Sequence, residues 1–150
     1  MKKISVVIAA TLALSAVTGT AFARDPIKSA IGARKAAFTL IASNFGPMGA
    51  MTKGKIPFNK DEFARRAANL EALSKMPWEY FIAGSDKGDT EAKAAVWSKA
   101  DEFKTKADEF EKEIAALAQV AQGDDMAAIG AQFGKVAKTC KACHKEFKED

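Results

Sequence analysis

The stretch VWSKADEFKTKADEFEKEIAALAQVA, residues 96–121, sets the fold. Val96, Ala100, Phe103, Ala107, Phe110, Ile114, Leu117 and Ala121 alternate steps of four and three, and the residues between them are largely Asp, Glu and Lys. Such spacing puts one apolar stripe on an otherwise charged helix. Past Gln122-Gly123-Asp124 a second stripe follows: Met126, Ile129, Phe133, Val136, Cys140, Cys143, Phe147. Upstream, Asn59 and Glu62 form a capping pair ahead of Phe63, Ala67 and Leu70, with Leu73 beside them, and Pro77 ends that run. The first stripe is Ile27, Ile31, Arg34, Phe38, Ile41 and Phe45; Asp25-Pro26 suits its start and Gly46-Pro47 its stop.

Four such segments, with little strict alternation or β-branching, predict an all-α antiparallel four-helix bundle crossing near 20°. The short 122–124 link makes the last two helices antiparallel neighbours. The connections Gly46–Phe58 and Pro77–Asp89 are longer and rich in Gly and Pro. No repeat, low-complexity tract or second domain interrupts residues 24–150.

The chain's 150 residues are 48% hydrophobic and 28% charged, which suits one folded domain and excludes a disordered tail. Met1-Lys2-Lys3, the apolar run Ile4 to Val17 and the small-residue box Ala21-Phe22-Ala23 read as a cleaved bacterial export signal, residues 1–23. The apolar run is too short to span a bilayer. The expected product is periplasmic and free of the membrane. Without Lys2 and Lys3, 21 basic residues face 19 acidic ones, too even a balance for nucleic-acid binding.

The two cysteines and the single histidine of the chain lie together as Cys140-Lys141-Ala142-Cys143-His144, the C-x-x-C-H pattern of haem c attachment. Two thiols add across the haem vinyl groups, and the adjacent imidazole becomes the axial ligand of the iron. Three other readings compete. Structural zinc wants four Cys or His ligands, and the chain has three. A thiol oxidoreductase wants its cysteines at a helix N-terminus within a βαβ pattern, whereas Cys140 lies about four turns into its segment. Chance would not gather every cysteine and histidine. One covalently bound haem c, ligated by His144, is the expectation.

Function then turns on the sixth ligand. The chain has no second histidine. Met48 and Met51 are placed in the loop after Gly46-Pro47, Met76 ends the second helix, and Met126 lies about 27 Å along the helix from His144. Only a fold-back of Met48 or Met51 would supply a methionine.

The C-terminal C-x-x-C-H, the four-helix pattern and the segment Arg34-Lys35-Ala36-Ala37-Phe38-Thr39-Leu40-Ile41-Ala42-Ser43-Asn44-Phe45-Gly46 resemble the cytochrome c′ family, the class II c-type cytochromes. Pro77-Trp78, Phe81 and Trp97 resemble it too. The resemblance implies a homodimer with a five-coordinate, high-spin haem that binds NO and CO and scarcely O₂. It puts Phe38 at the position of the apolar distal blocker, often Leu in the family, and Arg34 at that of a haem propionate partner. A charge on a core stripe suits such pairing. Lys35 adds local positive charge, and Phe81, Trp78 and Trp97 wall the pocket. Asp89 reads chiefly as the cap of helix three, with a haem-edge contact by analogy. Lys148, one turn past His144, stands where the family more often has Arg. The expectation is a gas-binding protein, not an enzyme, that sequesters or detoxifies NO while its iron cycles between Fe(II) and Fe(III), with its redox partner left open. The alternative is an electron carrier, with a Met ligand or outer-sphere exchange. A peroxidase-like enzyme is disfavoured because no distal acid or base accompanies Phe38.

Overall fold

A computed structural model describes residues 25–149, and the expected signal segment, residues 1–23, lies outside the described residues. The helices are α1 (Pro26–Thr52), α2 (Lys60–Ser74), α3 (Ala95–Ser98), α4 (Ala100–Val120) and α5 (Met126–Phe147), with a 3-10 turn at Trp78–Tyr80. The long helices α1, α2, α4 and α5 make the expected four-helix bundle. Three begin on side-chain caps: Asp25 accepts from Ile27 N and Lys28 N, Asn59 from Glu62 N, and Asp125 from Ala127 N and Ala128 N.

Two boundaries differ from expectation. The helix α1 does not stop at Gly46-Pro47 but runs on to Thr52. Pro47 has no N–H to give the Ser43 carbonyl, and a proline inside a helix costs about 3 kcal/mol. Arg66 of α2 supplies the missing donor, its Nη1 lying 3.2 Å from Ser43 O. The extra turn carries Met48 and Met51 into the core, at 0% and 5% exposure, each burial stabilising by about 1.5–3 kcal/mol. Both methionines are therefore helical and buried, not in a loop. Gly54, at φ +65°, then makes the left-handed turn that ends the helix.

The third segment is likewise two helices, broken at Lys99 (φ −123°, ψ 48°). On the near side, the Trp97 indole N–H donates to the carbonyls of Phe81 and Ile82, both at 3.1 Å. Beyond it, Asp101 and Glu102 occupy the first turn of α4, where the helix dipole favours acids.

Packing is closest between α4 and α5. The helix α2 packs on both α1 and α4, and the α1/α5 seam is the loosest side of the bundle. The solid core occupies one half: Met48 and Met51 of α1, Phe63 and Leu70 of α2, Ile114 and Leu117 of α4, and Ile129 and Val136 of α5. In the other half the stripes of α1, α4 and α5 part around a cavity of about 560 Å³. The C-terminus closes one end of it through an antiparallel bridge between Ala92 and Lys148, with Lys93 N donating to Phe147 O at 2.9 Å. No helix among the described residues is long and apolar enough to cross a membrane.

Candidate functional site

The C-terminal half of α5 brings Cys140, Cys143 and His144 to one wall of this cavity. Both cysteines are half-buried free thiols. Burial raises the pKa of each, and the neighbouring Cys140 helps push Cys143 up to about 11, so both are neutral S–H groups near pH 7. Burial and the Lys148 charge lower the His144 pKa, against an opposing pull from Glu91. Its imidazole is therefore held neutral, with a nitrogen lone pair free for a metal.

From α1, Phe38 lines the cavity and meets Trp78 and Phe81 edge to face, with centroids 5.9 and 6.4 Å apart. Trp78 also meets Phe103 and Phe110 edge-on, and its buried indole N–H finds no acceptor among the described residues. Trp97 does not wall the cavity as expected. It stands behind, against Phe81 at 6.2 Å, because its N–H is drawn to the Phe81 and Ile82 carbonyls. None of the methionines among the described residues lines the cavity. Met48 and Met51 are in the core, while Met76 and Met126 are exposed elsewhere.

Arg34 is 3% exposed and lines the cavity. Its Nη1 donates to Tyr80 O (3.1 Å) and Ser85 Oγ (2.7 Å), and its Nη2 to Ser85 O and Thr90 Oγ1 (2.6 Å each). The guanidinium also lies over the Phe81 ring, 4.7 Å from its centroid. All four terminal N–H groups thus tie down the loop after α2. Those partners are neutral, no ion pair to Arg34 forms among the described residues, and burial lowers its pKa. A buried cation facing a cavity with no countercharge fits an anionic group of a ligand.

Lys35 lines the cavity rim and pairs with Asp89 at 2.8 Å. Asp89 itself, 96% exposed in its side chain, is not part of the cavity wall. Nor does it cap helix three, since α3 follows Ala94 with no side-chain cap. Held by Lys35, Asp89 lies several residues short of that helix. Lys148 lines the cavity beside His144 and pairs with Glu91 at 3.0 Å.

The donor set suits haem: an apolar, aromatic-walled space, two neutral thiols, one neutral imidazole and a buried cation lacking a counterion. It does not suit structural zinc, because no group of three or more His, Cys, Asp or Glu among the described residues could hold a metal ion. The sequence pattern of the family described as Cytochrome C′ matches residues 29–148. The chain belongs to the cytochrome c′ family.

Cytochrome c′ from Rubrivivax gelatinosus is 46% identical over 121 residues, covering 80% of this chain and 94% of that one. The solved structure of cytochrome c prime from Shewanella frigidimarina superposes with a TM-score of 0.82 at 50% identity, over 85% of this chain and 99% of its own. A nitric oxide complex of a mutant cytochrome c prime from Alcaligenes xylosoxidans gives a TM-score of 0.78 at 34% identity, over 85% and 98%. Cytochromes c′ are haem-binding proteins, and covalently bound haem c is the cofactor of this one. Ser85 and Thr90, which hold Arg34, carry no signal in the sequence. They lie between Ile82 and Ala92 in a loop with no periodicity, and nothing local marks them as partners of a residue on α1.

Proposed function

We propose that this cytochrome c′ is an exported, periplasmic protein that binds NO and CO at a five-coordinate, high-spin haem and serves to sequester or detoxify NO. Cys140 and Cys143 hold the haem through thioether bonds, and His144 ligates its iron. When bound, the haem would supply a redox-active iron, Fe(II) or Fe(III), able to take a diatomic ligand. Every other contribution comes from the chain. Phe38, which cannot ligate, crowds the wall contributed by α1. Trp78, Phe81, Phe103 and Phe110 exclude water. Arg34, whose loop partners are all neutral, offers its charge to a propionate, with Lys35 nearby.

The observation that carries this reading is the make-up of the cavity wall: one imidazole, His144, and no methionine. The burial of Met48 and Met51 in the core removes the ligands that a Met-ligated electron carrier would need. The nitric oxide complex of the Alcaligenes relative supports the choice of gas. The pattern of residues 1–23 supports export. A dimer of two copies, as the family likeness implies, belongs to the same proposal.

A visible spectrum of the reduced protein, before and after NO and CO, tests the reading. A high-spin spectrum altered by both gases is expected. A sharp low-spin spectrum indifferent to them would overturn it.

A further inference from the structure

A second space of about 500 Å³, an open cleft with Thr52, Lys53 and Lys55 among its lining residues, lies along the loose α1/α5 seam beside the solid half of the bundle. It shares two wall residues with the haem cavity, Phe45 of α1 and Ala137 of α5. The partition is thin and aromatic. Phe45 stacks on Phe133 across the seam, with centroids 4.2 Å apart and planes within 10°.

Gly46, Gly130 and Gly134 line this second space, and a Cβ at any of them would meet nothing within 4 Å. Helical glycine is worse than alanine by about 1 kcal/mol, and no packing contact at these three positions explains the choice. Gly49 differs, since its Cβ would come within 3.2 Å of Phe133 Cζ.

We propose that this cleft is the path by which diatomic gases reach the haem cavity, with Phe45 as its gate. The inference rests on the gas-binding reading above and names the route it uses. A small apolar gas needs no hydrogen bond in transit and passes when the Phe45 ring moves. Water and ions crossing the same aromatic partition lose their hydration without compensation. The loose α1/α5 contact gives that ring a wall that yields more readily than the close α4/α5 side.

A path alters the height of a barrier and not the states it joins. Filling the cleft therefore slows arrival and escape by one factor and leaves affinity alone. In the reduced holoprotein, Gly134→Leu is expected to slow both CO association and CO dissociation about tenfold, corresponding to about 1.4 kcal/mol of added barrier. After flash photolysis it also raises the fraction of CO that rebinds without escaping. Phe45→Ala is expected to move both rates the other way. Far-UV circular dichroism and the haem absorption band check that each variant is folded.

Xenon provides a readout independent of gas binding at iron. Crystals under xenon pressure are expected to hold it in the cleft of the natural protein but not of Gly134→Leu. CO rates unchanged in both variants, or an association rate that shifts while dissociation does not, would overturn the path and leave the gas-binding reading intact. Failure to bind CO at all would overturn both.

Discussion

Replacing Arg34 by Met, which keeps the unbranched stem and removes the charge, tests how the cavity wall is held. Hydrogen bonds from charged donors contribute about 1.5–3 kcal/mol each, but the four are not equally lost. Thr90 Oγ1 still accepts from Ala92 N at 3.0 Å, and Ser85 Oγ still donates to Ile82 O at 2.8 Å. Tyr80 is only half-buried and its bond to Arg34 partly so, which leaves its carbonyl a route to water. Ser85 is fully buried, so its carbonyl is left without a donor. Against this, removing a buried cation recovers its desolvation cost. The balance is a loss of about 2–4 kcal/mol, a large share of the 5–15 kcal/mol of an ordinary domain. Arg34→Lys should lose roughly half as much, since an ammonium cannot fork between Ser85 and Thr90. Urea unfolding of the holoprotein, followed by far-UV circular dichroism, measures both. The double-mutant cycle of Arg34→Met with Thr90→Val should give a coupling of about 1.5 kcal/mol or more. A coupling under about 0.5 kcal/mol would refute the share of the loss assigned to Thr90, because the Nη2 bond to its hydroxyl would then contribute nothing measurable.

Three further outcomes are expected. If Phe38 is the proposed distal blocker, Phe38→Ala should speed CO association in stopped-flow mixing by about tenfold or more; an unchanged rate would count against that role. The double variant Cys140→Ala, Cys143→Ala should leave no peroxidase-staining band on a denaturing gel, whereas either single variant should keep a weakened one. Arg66→Met should cost about 1–3 kcal/mol in urea unfolding, because it strips both the donor to Ser43 O and the pair with Glu62, whose Oε1 accepts from Nε at 2.8 Å and Nη2 at 2.6 Å. Adding Pro47→Ala should restore part of that loss by giving Ser43 O a helical donor again, and no recovery would sink the account of why α1 continues.

The bundle was legible because its stripes repeat over many turns, and local errors do not disturb a long period. The misreadings fall where one residue's neighbours are distant in the chain. Gly46-Pro47 looks like a stop because the lost N–H is visible locally, while the replacement donor is Arg66 on another helix and the gain is the burial of Met48 and Met51. The break at Lys99 is invisible for the opposite reason. The stripe from Val96 to Ala121 keeps its phase across one non-helical residue, so periodicity does not register it. Asp89 has a plausible capping identity and lies near a helix start, yet Lys35 claims its carboxylate several residues early.

An apolar stripe says that a face is hidden, not what hides it. Phe103 belongs to the same stripe as Ile114 and Leu117, yet it lines the cavity while the other two lie in the core cluster. Hydropathy alone cannot separate residues that pack on one another from residues that pack on a cofactor, because both leave water in the same way. What breaks the tie is chemistry that a core does not need: two thiols, one imidazole and an unpaired guanidinium facing the same space. The hollow half of the bundle is walled by aromatic pairs that leave its centre unfilled. Its stability and its ligand are therefore linked, since the haem fills that space only in the folded state. A tether through sulfur keeps the haem on the chain even when it unfolds, so refolding recaptures it at high effective concentration and a chain with half a core can keep a complete fold.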